Sequence, residues 1–321
     1  MIFIDILIFA TGFFLLVKGA TLFLDGAIML SKRYHFSEVG MGLGVLAFGT
    51  AAPELVVNAI SSWNENSELV FANIIGSNIF NLYLVLGTVG VISPIRIQTR
   101  TISKEIPFSV FAFIVLFILI NDKLLFGEKY DSLTRNESLI LLFLLLIFTY
   151  FVFRSMLGIE KIVPHDDEKL LSQGKTYFFL IGGAAALFVG GEFVVTKASL
   201  LATNIGVSQK LIGIIIVAPG TCLPELATSL TAALKQKHGM AVGNIIGSLV
   251  FNVLLVLPLS AFLNPLPYEY SLNFDLYFCF CGLLLLLAAF FTGKIGKIDR
   301  WESFFFLFFL SLYVGFLFVR K

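Results

Sequence analysis

The chain has 321 residues, 58% of them hydrophobic and only 13% charged, with a formal net charge of +1. So apolar a composition excludes an ordinary water-soluble domain, and so even a charge balance says nothing for a nucleic-acid partner. Three cysteines, Cys222, Cys279 and Cys281, do not make a zinc or disulfide framework, so packing is expected for the last two.

Apolar runs of about 17–25 residues, each long enough to span a bilayer, recur along the whole chain. Ten are predicted, with approximate cores at 2–30, 38–61, 69–93, 106–121, 138–154, 177–203, 209–234, 240–263, 274–292 and 303–319. The first lacks a basic start and a small-residue cleavage site, so it reads as a permanent helix and not as a signal peptide. The longest polar connection, 155–175, leaves no soluble domain.

Two tracts occur twice. Gly49-Thr50-Ala51-Ala52-Pro53-Glu54 returns as Gly220-Thr221-Cys222-Leu223-Pro224-Glu225. Nineteen residues after each glutamate begins a second tract, Asn73 to Asn81 and again Asn244 to Asn252. One offset of 171 residues aligns both without a gap and extends from the pair Ala47 and Ala218 to the pair Pro94 and Pro265. The expected architecture is an all-α integral membrane fold of ten transmembrane helices. It divides into a five-helix repeat at 1–155, a cytoplasmic linker at 156–175 and a second five-helix repeat at 176–321. Five is odd, so the second repeat enters the membrane from the opposite face, and the repeats are inverted. Helices broken at the midplane complete the expectation.

Loop charge orients the chain. One set of alternate connections holds fourteen basic residues, among them Lys32, Arg33, Arg96, Lys104, Arg154, Lys235, Lys237 and Lys297. The other holds six, including Lys123, Lys129 and Arg135. The richer side is expected to be cytoplasmic, which puts both termini outside in a multi-pass protein of the cell membrane.

The repeated tracts carry the chemistry. A charge at the bilayer centre costs roughly 2.5–3.5 kcal/mol, and Glu54 and Glu225 both bear it. Thr50 and Glu54 are four apart and share a helix face, as do Thr221 and Glu225. Pro53 and Pro224 remove amide donors and free the carbonyls of Gly49 and Gly220, whereas Pro219 adds a break without a counterpart in the first half. Ser77 and Asn81, like Ser248 and Asn252, add hydroxyl and amide oxygens four residues apart, and Gly76 and Gly247 would allow helices to approach closely. The blander readings are a simple kink at each proline and interhelical hydrogen bonding for the serines and asparagines. Summed over both halves, the set is two carboxylates, several neutral oxygens, at most one thiol at Cys222, and no nitrogen ligand. Calcium and sodium take such hard oxygens, and two carboxylates balance one calcium or two sodium ions.

With these motifs the chain resembles the sodium/calcium exchanger family of the cation/calcium exchanger superfamily, in its compact ten-helix microbial form. The resemblance covers nearly the whole chain. It implies an antiporter that binds calcium or sodium in turn midway through the membrane, by alternating access. It implies that Glu54, Glu225, Thr50 and Thr221 coordinate calcium. Asn81, Ser77, Ser248, Ala47 and Ala218 would help form sodium sites, the alanines through their carbonyls. The first and sixth helices would slide as a pair past the rest. The chain departs from the family where a serine follows each motif threonine, since Ala51 and Cys222 stand there. Asn252 stands where potassium-dependent members and some microbial members carry Asp and animal potassium-independent members carry Asn, so the resemblance argues against potassium transport without settling the number of sodium ions. The transported calcium and sodium are the implied ligands. No cofactor, nucleic acid or obligatory protein partner is implied beyond the lipid bilayer. A proton-driven cation antiporter of the same fold is the alternative, because buried glutamates can carry protons. An enzyme using the two glutamates as an acid/base pair would need a nucleophile or metal that the sequence does not offer.

Lys18, Asp25, Glu192 and Lys197 lie within the long first and sixth segments, where ion pairing, snorkelling or gating are the open readings. His35, His165 and His238 fall in or beside loops and are expected to be solvated.

Overall fold

The computed structural model describes residues 2–96, 104–157, 172–207, 212, 216–289, 291–292 and 296–319. Most of the 156–175 linker lies outside these residues, as do His165 and the basic residues Arg100, Lys161, Lys169, Lys210, Lys294, Arg320 and Lys321.

The described residues fold into ten apolar helical segments. They are α1 (Ile2–Tyr34), α2 (Glu38–Trp63), α3 (Ser67–Ile92), α4 (Ile106–Ile120), α5 (Arg135–Met156), α6 (Gln173–Asn204), α7 in two pieces (Ala218–Gly220 and Leu223–Leu234), α8 (His238–Leu263), α9 (Asn273–Ala289) and α10 (Arg300–Val319). Among the described residues eight helices are long and apolar enough to cross a bilayer, and α4 is a shorter apolar helix. Local signals set several ends. Ser37 caps α2 by accepting from the Gly40 amide at 3.1 Å, and Thr134 and Glu137 form a capping box at the start of α5.

Burial ranks the helices. Of the most apolar window, 83% is buried in α8 and 72% in α3, against 28% in α1, α5, α6 and α10. α3 and α8 therefore form the centre. The outer helices turn large apolar side chains such as Phe143, Ile181 and Phe304 outward, as a lipid solvent requires.

The 171-residue repeat is structural. Helical turns with widened i→i+5 bonding occupy Asn81–Val85 in α3 and Asn252–Val256 in α8, in identical register. Ser93 donates to the Ala233 carbonyl at 3.5 Å, and the repeat mates of that pair, Asn264 and Ser62, make the equivalent bond at 3.5 Å. Two small antiparallel ribbons carry the symmetry to the ends of the molecule. β1 (Ile95–Arg96) pairs with β4 (Lys297–Ile298), and β2 (Ser132–Leu133) pairs with β3 (Leu266–Pro267). β1 and β3 are repeat mates, and each joins one half to the other. An even number of the ten segments separates the partners within each ribbon, but between β1 and β2 lies only one of them, α4, the five-residue helix Asp122–Phe126 being far too short to cross. The ribbons therefore lie at opposite ends, as inverted repeats require, and the parity holds only if the broken α7 counts as a crossing.

α1 and α6 pack antiparallel with their backbones in contact. A Cβ on Gly12 would stand 2.9 Å from the Gly190 carbonyl oxygen, and one on Gly183 would stand 2.7 Å from Phe23 Cα. Gly12 and Gly183 are themselves 171 apart, as are Gly19 and Gly190, so the duplication reaches these helices too. Asp5 on α1 and Lys197 on α6 add an ion pair at 2.7 Å. Asp25 pairs not with Lys18 but with Lys235, beyond the end of α7, at 2.5 Å. Lys18 instead lies 6.0 Å from the ring centre of Phe14.

Candidate ion-binding site

The site starts from the contact between α2 and α8. Gly42 and Gly243 face each other, and a Cβ on either would come within 2.9 Å of the other's Cα. Gly247 likewise admits the backbone of Leu43, whose carbonyl oxygen would lie 2.7 Å from an added Cβ. Gly76, its repeat mate, differs from expectation, with no heavy atom within 4 Å of that position. The close α2–α8 approach lays one face of α2, with Ala47, Thr50, Glu54 and Asn58 all buried, against Asn244, Ser248 and Asn252 of α8.

Hydroxyls and amides then meet across the halves. Thr50 Oγ1 donates to Asn244 Oδ1 at 3.3 Å, and lies 3.4 Å from both the Ala47 carbonyl and Ser248 Oγ. The repeat mates Thr221 and Ser77 bring their hydroxyls to 3.3 Å. Asn244 Nδ2 donates to Ser229 Oγ at 2.9 Å, and Asn58 Nδ2 donates to the Glu54 carbonyl at 2.7 Å. Asn252 Nδ2 reaches Asn78 Oδ1 at 3.3 Å.

The prolines act differently in the two halves. α2 runs unbroken through Pro53. The second half, with Pro219 and Pro224, breaks at Thr221–Cys222 before the helix resumes at Leu223. Cys222 is fully buried at this break, its thiol 3.4 Å from the Ser77 carbonyl and 3.8 Å from Thr221 Oγ1. Ala218 begins the short piece before the break. The motif glycines face the α1–α6 pair, since a Cβ at Gly49 would run into the Phe23 ring and one at Gly220 into Val195.

Within this apolar centre many polar atoms have no hydrogen-bond partner. They include both carboxylate oxygens of Glu54 and of Glu225, both amide atoms of Asn81, and Oδ1 of Asn252 and of Asn58. Leaving buried polar atoms unpaired costs on the order of 1–3 kcal/mol each, more for charges. A cluster of this composition, two carboxylates among neutral oxygens, offers the hard donors that calcium and sodium take. Among the described residues no group of three or more His, Cys, Asp or Glu side chains comes together, and the other polar groups around Glu54 and Glu225 are hydroxyls, amides and carbonyls.

The site opens to one side. A cavity of about 220 Å3 is lined by Pro53, Glu54, Val57, Asn73, Glu192 and Thr221, among others. Asn73 is only partly buried there, whereas its repeat mate Asn244 is fully buried and bonded to Thr50 and Ser229. Glu225 is fully buried and Glu54 nearly so.

Asn58, Asn78, Thr228, Ser229 and Asn244 join the predicted residues around the site. Asn244 and Asn73 begin the repeated tract, and Asn58 with Ser229 is a polar pair at the same offset, so the repeat carried a signal for them. Thr228 matches Val57 and Asn78 matches Leu249, so the repeat carried none for these two. Cys279 is buried and Cys281 exposed on α9.

Comparison with known proteins finds relatives along nearly the whole chain. The family model described as sodium/calcium exchanger protein matches residues 4–154 and 175–319. The putative antiporter CaxA of Alkalimonas amylolytica is 32% identical over 304 residues, covering 91% of this chain and 92% of that protein. The sodium/calcium exchanger MaX1 of Methanosarcina acetivorans is 30% identical over 351 aligned positions, covering 99% of each chain. A solved structure of the sodium-calcium exchanger NCX_Mj, soaked with 2.5 mM Na+ and 10 mM Sr2+, superposes with a TM-score of 0.82 at 29% identity, covering 98% of this chain and 99% of that one.

Proposed function

Because the chain belongs to the sodium/calcium exchanger family and exchanges sodium for calcium across a membrane, we propose that the exchange takes place between Glu54 and Glu225. The observation that carries this reading is the set of four unpaired carboxylate oxygens, buried among hydroxyl, amide and carbonyl oxygens of both halves. Two carboxylates balance one calcium ion or two sodium ions, so the ions compete for one charge. Thr50 and Thr221 complete the calcium shell. Ser77, Ser248, Asn81, Asn252 and the carbonyls of Ala47 and Ala218 serve sodium, with Cys222 at the edge of that shell.

Access alternates. Here the cavity reaches Glu54 from one side, while the Asn244 side is closed by its bonds to Thr50 and Ser229. α1 and α6, joined along Gly12, Gly19, Gly183 and Gly190, slide as one body over the motif glycines Gly49 and Gly220. Loop charge puts the cavity on the outer face of the cell membrane, with both termini outside and 156–175 in the cytoplasm.

The test is calcium-45 uptake into proteoliposomes. An outward sodium gradient is expected to drive uptake, and a pH gradient alone is not. Uptake that follows the pH gradient and ignores sodium would overturn sodium coupling in favour of proton coupling.

A further inference from the structure

The cavity that reaches Glu54 contains a second acid, Glu192 of α6, which the exchange site does not use. Its carboxylate accepts a hydrogen bond from Thr196 Oγ1 at 3.1 Å. The nearest basic residue in sequence, Lys197, is already paired with Asp5 at 2.7 Å. Among the described residues no ion pair to Glu192 forms. The other walls are largely apolar, with Pro53, Val57, Phe188 and Val195. Glu192 is itself exposed while lining this largely apolar cleft, and a carboxylate without an ion-pair partner there projects its field along the opening.

The repeat sharpens the point. The residue equivalent to Glu192 in the first half is Thr21, whose hydroxyl donates to the Val17 carbonyl at 2.8 Å. Exchanging repeat mates turns the wall of the open cavity into the wall of the opposite route: Glu192 becomes Thr21, Glu54 becomes Glu225, and Asn73 becomes Asn244. The two routes converge on equivalent glutamates but differ in charge on the way in. The cavity lies toward the Trp63, Ser67 and Asn204 ends of its helices, since Val57, Asn73 and Val195 are displaced that way.

We propose that Glu192 is an entry carboxylate, which gathers cations for the exchange site from the Trp63–Ser67 face only and makes the apparent calcium affinity unequal on the two faces. The proposal rests on the reading of Glu54 and Glu225 as the ion-binding pair. Attraction scales with ion charge, so calcium gains more than sodium. The effect is screened by salt, because the cavity meets solvent.

The experiment measures half-saturating calcium separately on each face, in proteoliposomes sorted by orientation, for wild type, Glu192→Gln, Glu192→Asp, Thr21→Glu and Glu54→Gln. Glu192→Gln is expected to raise half-saturating calcium on the Trp63–Ser67 face by roughly three- to tenfold, and half-saturating sodium by less. The opposite face should stay as in wild type, and Glu192→Asp should stay near wild type on both. Thr21→Glu is expected to lower half-saturating calcium on the opposite face. In wild type, added choline chloride should erase most of the difference between faces. Equal changes on both faces, or none with Glu192→Gln, would overturn the entry role. If Glu54→Gln is silent as well, the exchange site itself has been misplaced. If Glu54→Gln abolishes transport while Glu192→Gln is silent, only the entry role fails. Should Glu192→Gln not fold, a salt-insensitive difference between faces in wild type overturns the proposal alone.

Discussion

The hydroxyls of Thr50 and Ser248 lie 3.4 Å apart across the boundary between the two halves. Their repeat mates, Thr221 and Ser77, make the same contact at 3.3 Å. Neither half contains both partners of either contact, so neither half can build the site alone. This is why the duplication preserves residues in both tracts and not merely hydrophobicity. The symmetry stops at the asparagines. Asn244 closes over Thr50, while Asn73 stands in the open cavity. The two sides of the pseudo-symmetric centre therefore differ, with a cavity on the Asn73 side and hydrogen-bonded packing on the Asn244 side.

Neutralising either glutamate should abolish calcium exchange. With Glu54→Gln or Glu225→Gln one carboxylate remains against a divalent ion. One unit-charge interaction at about 4 Å is worth about 4 kcal/mol at an effective dielectric of about 20, or roughly a thousandfold in affinity for each unit of ion charge. Calcium-45 uptake by purified variants that elute as folded protein checks this. Normal uptake by either would remove the site from these residues.

The α1–α6 contact predicts contrasting effects at two adjacent glycines. Gly183→Ala would push a Cβ to 2.5 Å from the Phe23 backbone nitrogen, whereas Gly182→Ala meets no heavy atom within 4 Å. The first should destabilise the protein by about 1–3 kcal/mol through overpacking. The second should be neutral or gain up to about 1 kcal/mol from helix propensity. Thermal unfolding midpoints in detergent measure both, and equal midpoints would contradict the close packing of these helices.

Much of this was legible in the sequence because polar residues are conspicuous in an apolar chain. Glu54, Thr50, Ser77 and Asn81 stand out, and the 171-residue offset finds Glu225, Thr221, Ser248 and Asn252. Helix number and inversion follow from the same contrast. Other features leave little trace. The glycines at 12, 19, 183 and 190 obey the offset, but glycine is common here and its packing role shows only when the helices touch. Thr228 and Asn78 lack polar repeat mates. Two-residue strands such as Ile95–Arg96 are too short to display alternation. The partner of Asp25 is Lys235, 210 positions away, which no local periodicity reveals.

Potassium should be neither required nor carried. Asn81 and Asn252 are both buried beside the site, and both are neutral. Without a third carboxylate the charge is already balanced by one calcium or two sodium ions. Sodium-driven calcium uptake should therefore be equal in potassium-free and potassium-containing media, and rubidium-86 should not accompany calcium. A strict potassium requirement would show that the site holds an additional negative charge.

Cys222 should weaken a sodium site. It stands between the candidate ligands Thr221 and Glu225 in sequence, at the break between the two pieces of α7. Its thiol lies 3.4 Å from the carbonyl of Ser77, another candidate sodium ligand. Sulfur is a soft donor and sodium prefers hard oxygen. Cys222→Ser supplies a hydroxyl in nearly the same volume. Sodium should then inhibit calcium uptake at roughly two- to fivefold lower concentration, since the hard-donor preference acts mainly on the sodium shell. In a variant lacking Cys279 and Cys281, a small methanethiosulfonate should label the buried Cys222 only slowly. Saturating sodium or calcium should slow it further, because bound ions fill the space the reagent needs, and labelled protein should not exchange. Labelling indifferent to both ions, together with unchanged sodium inhibition in Cys222→Ser, would mean that the thiol only packs against α3 and takes no part in the ion pathway.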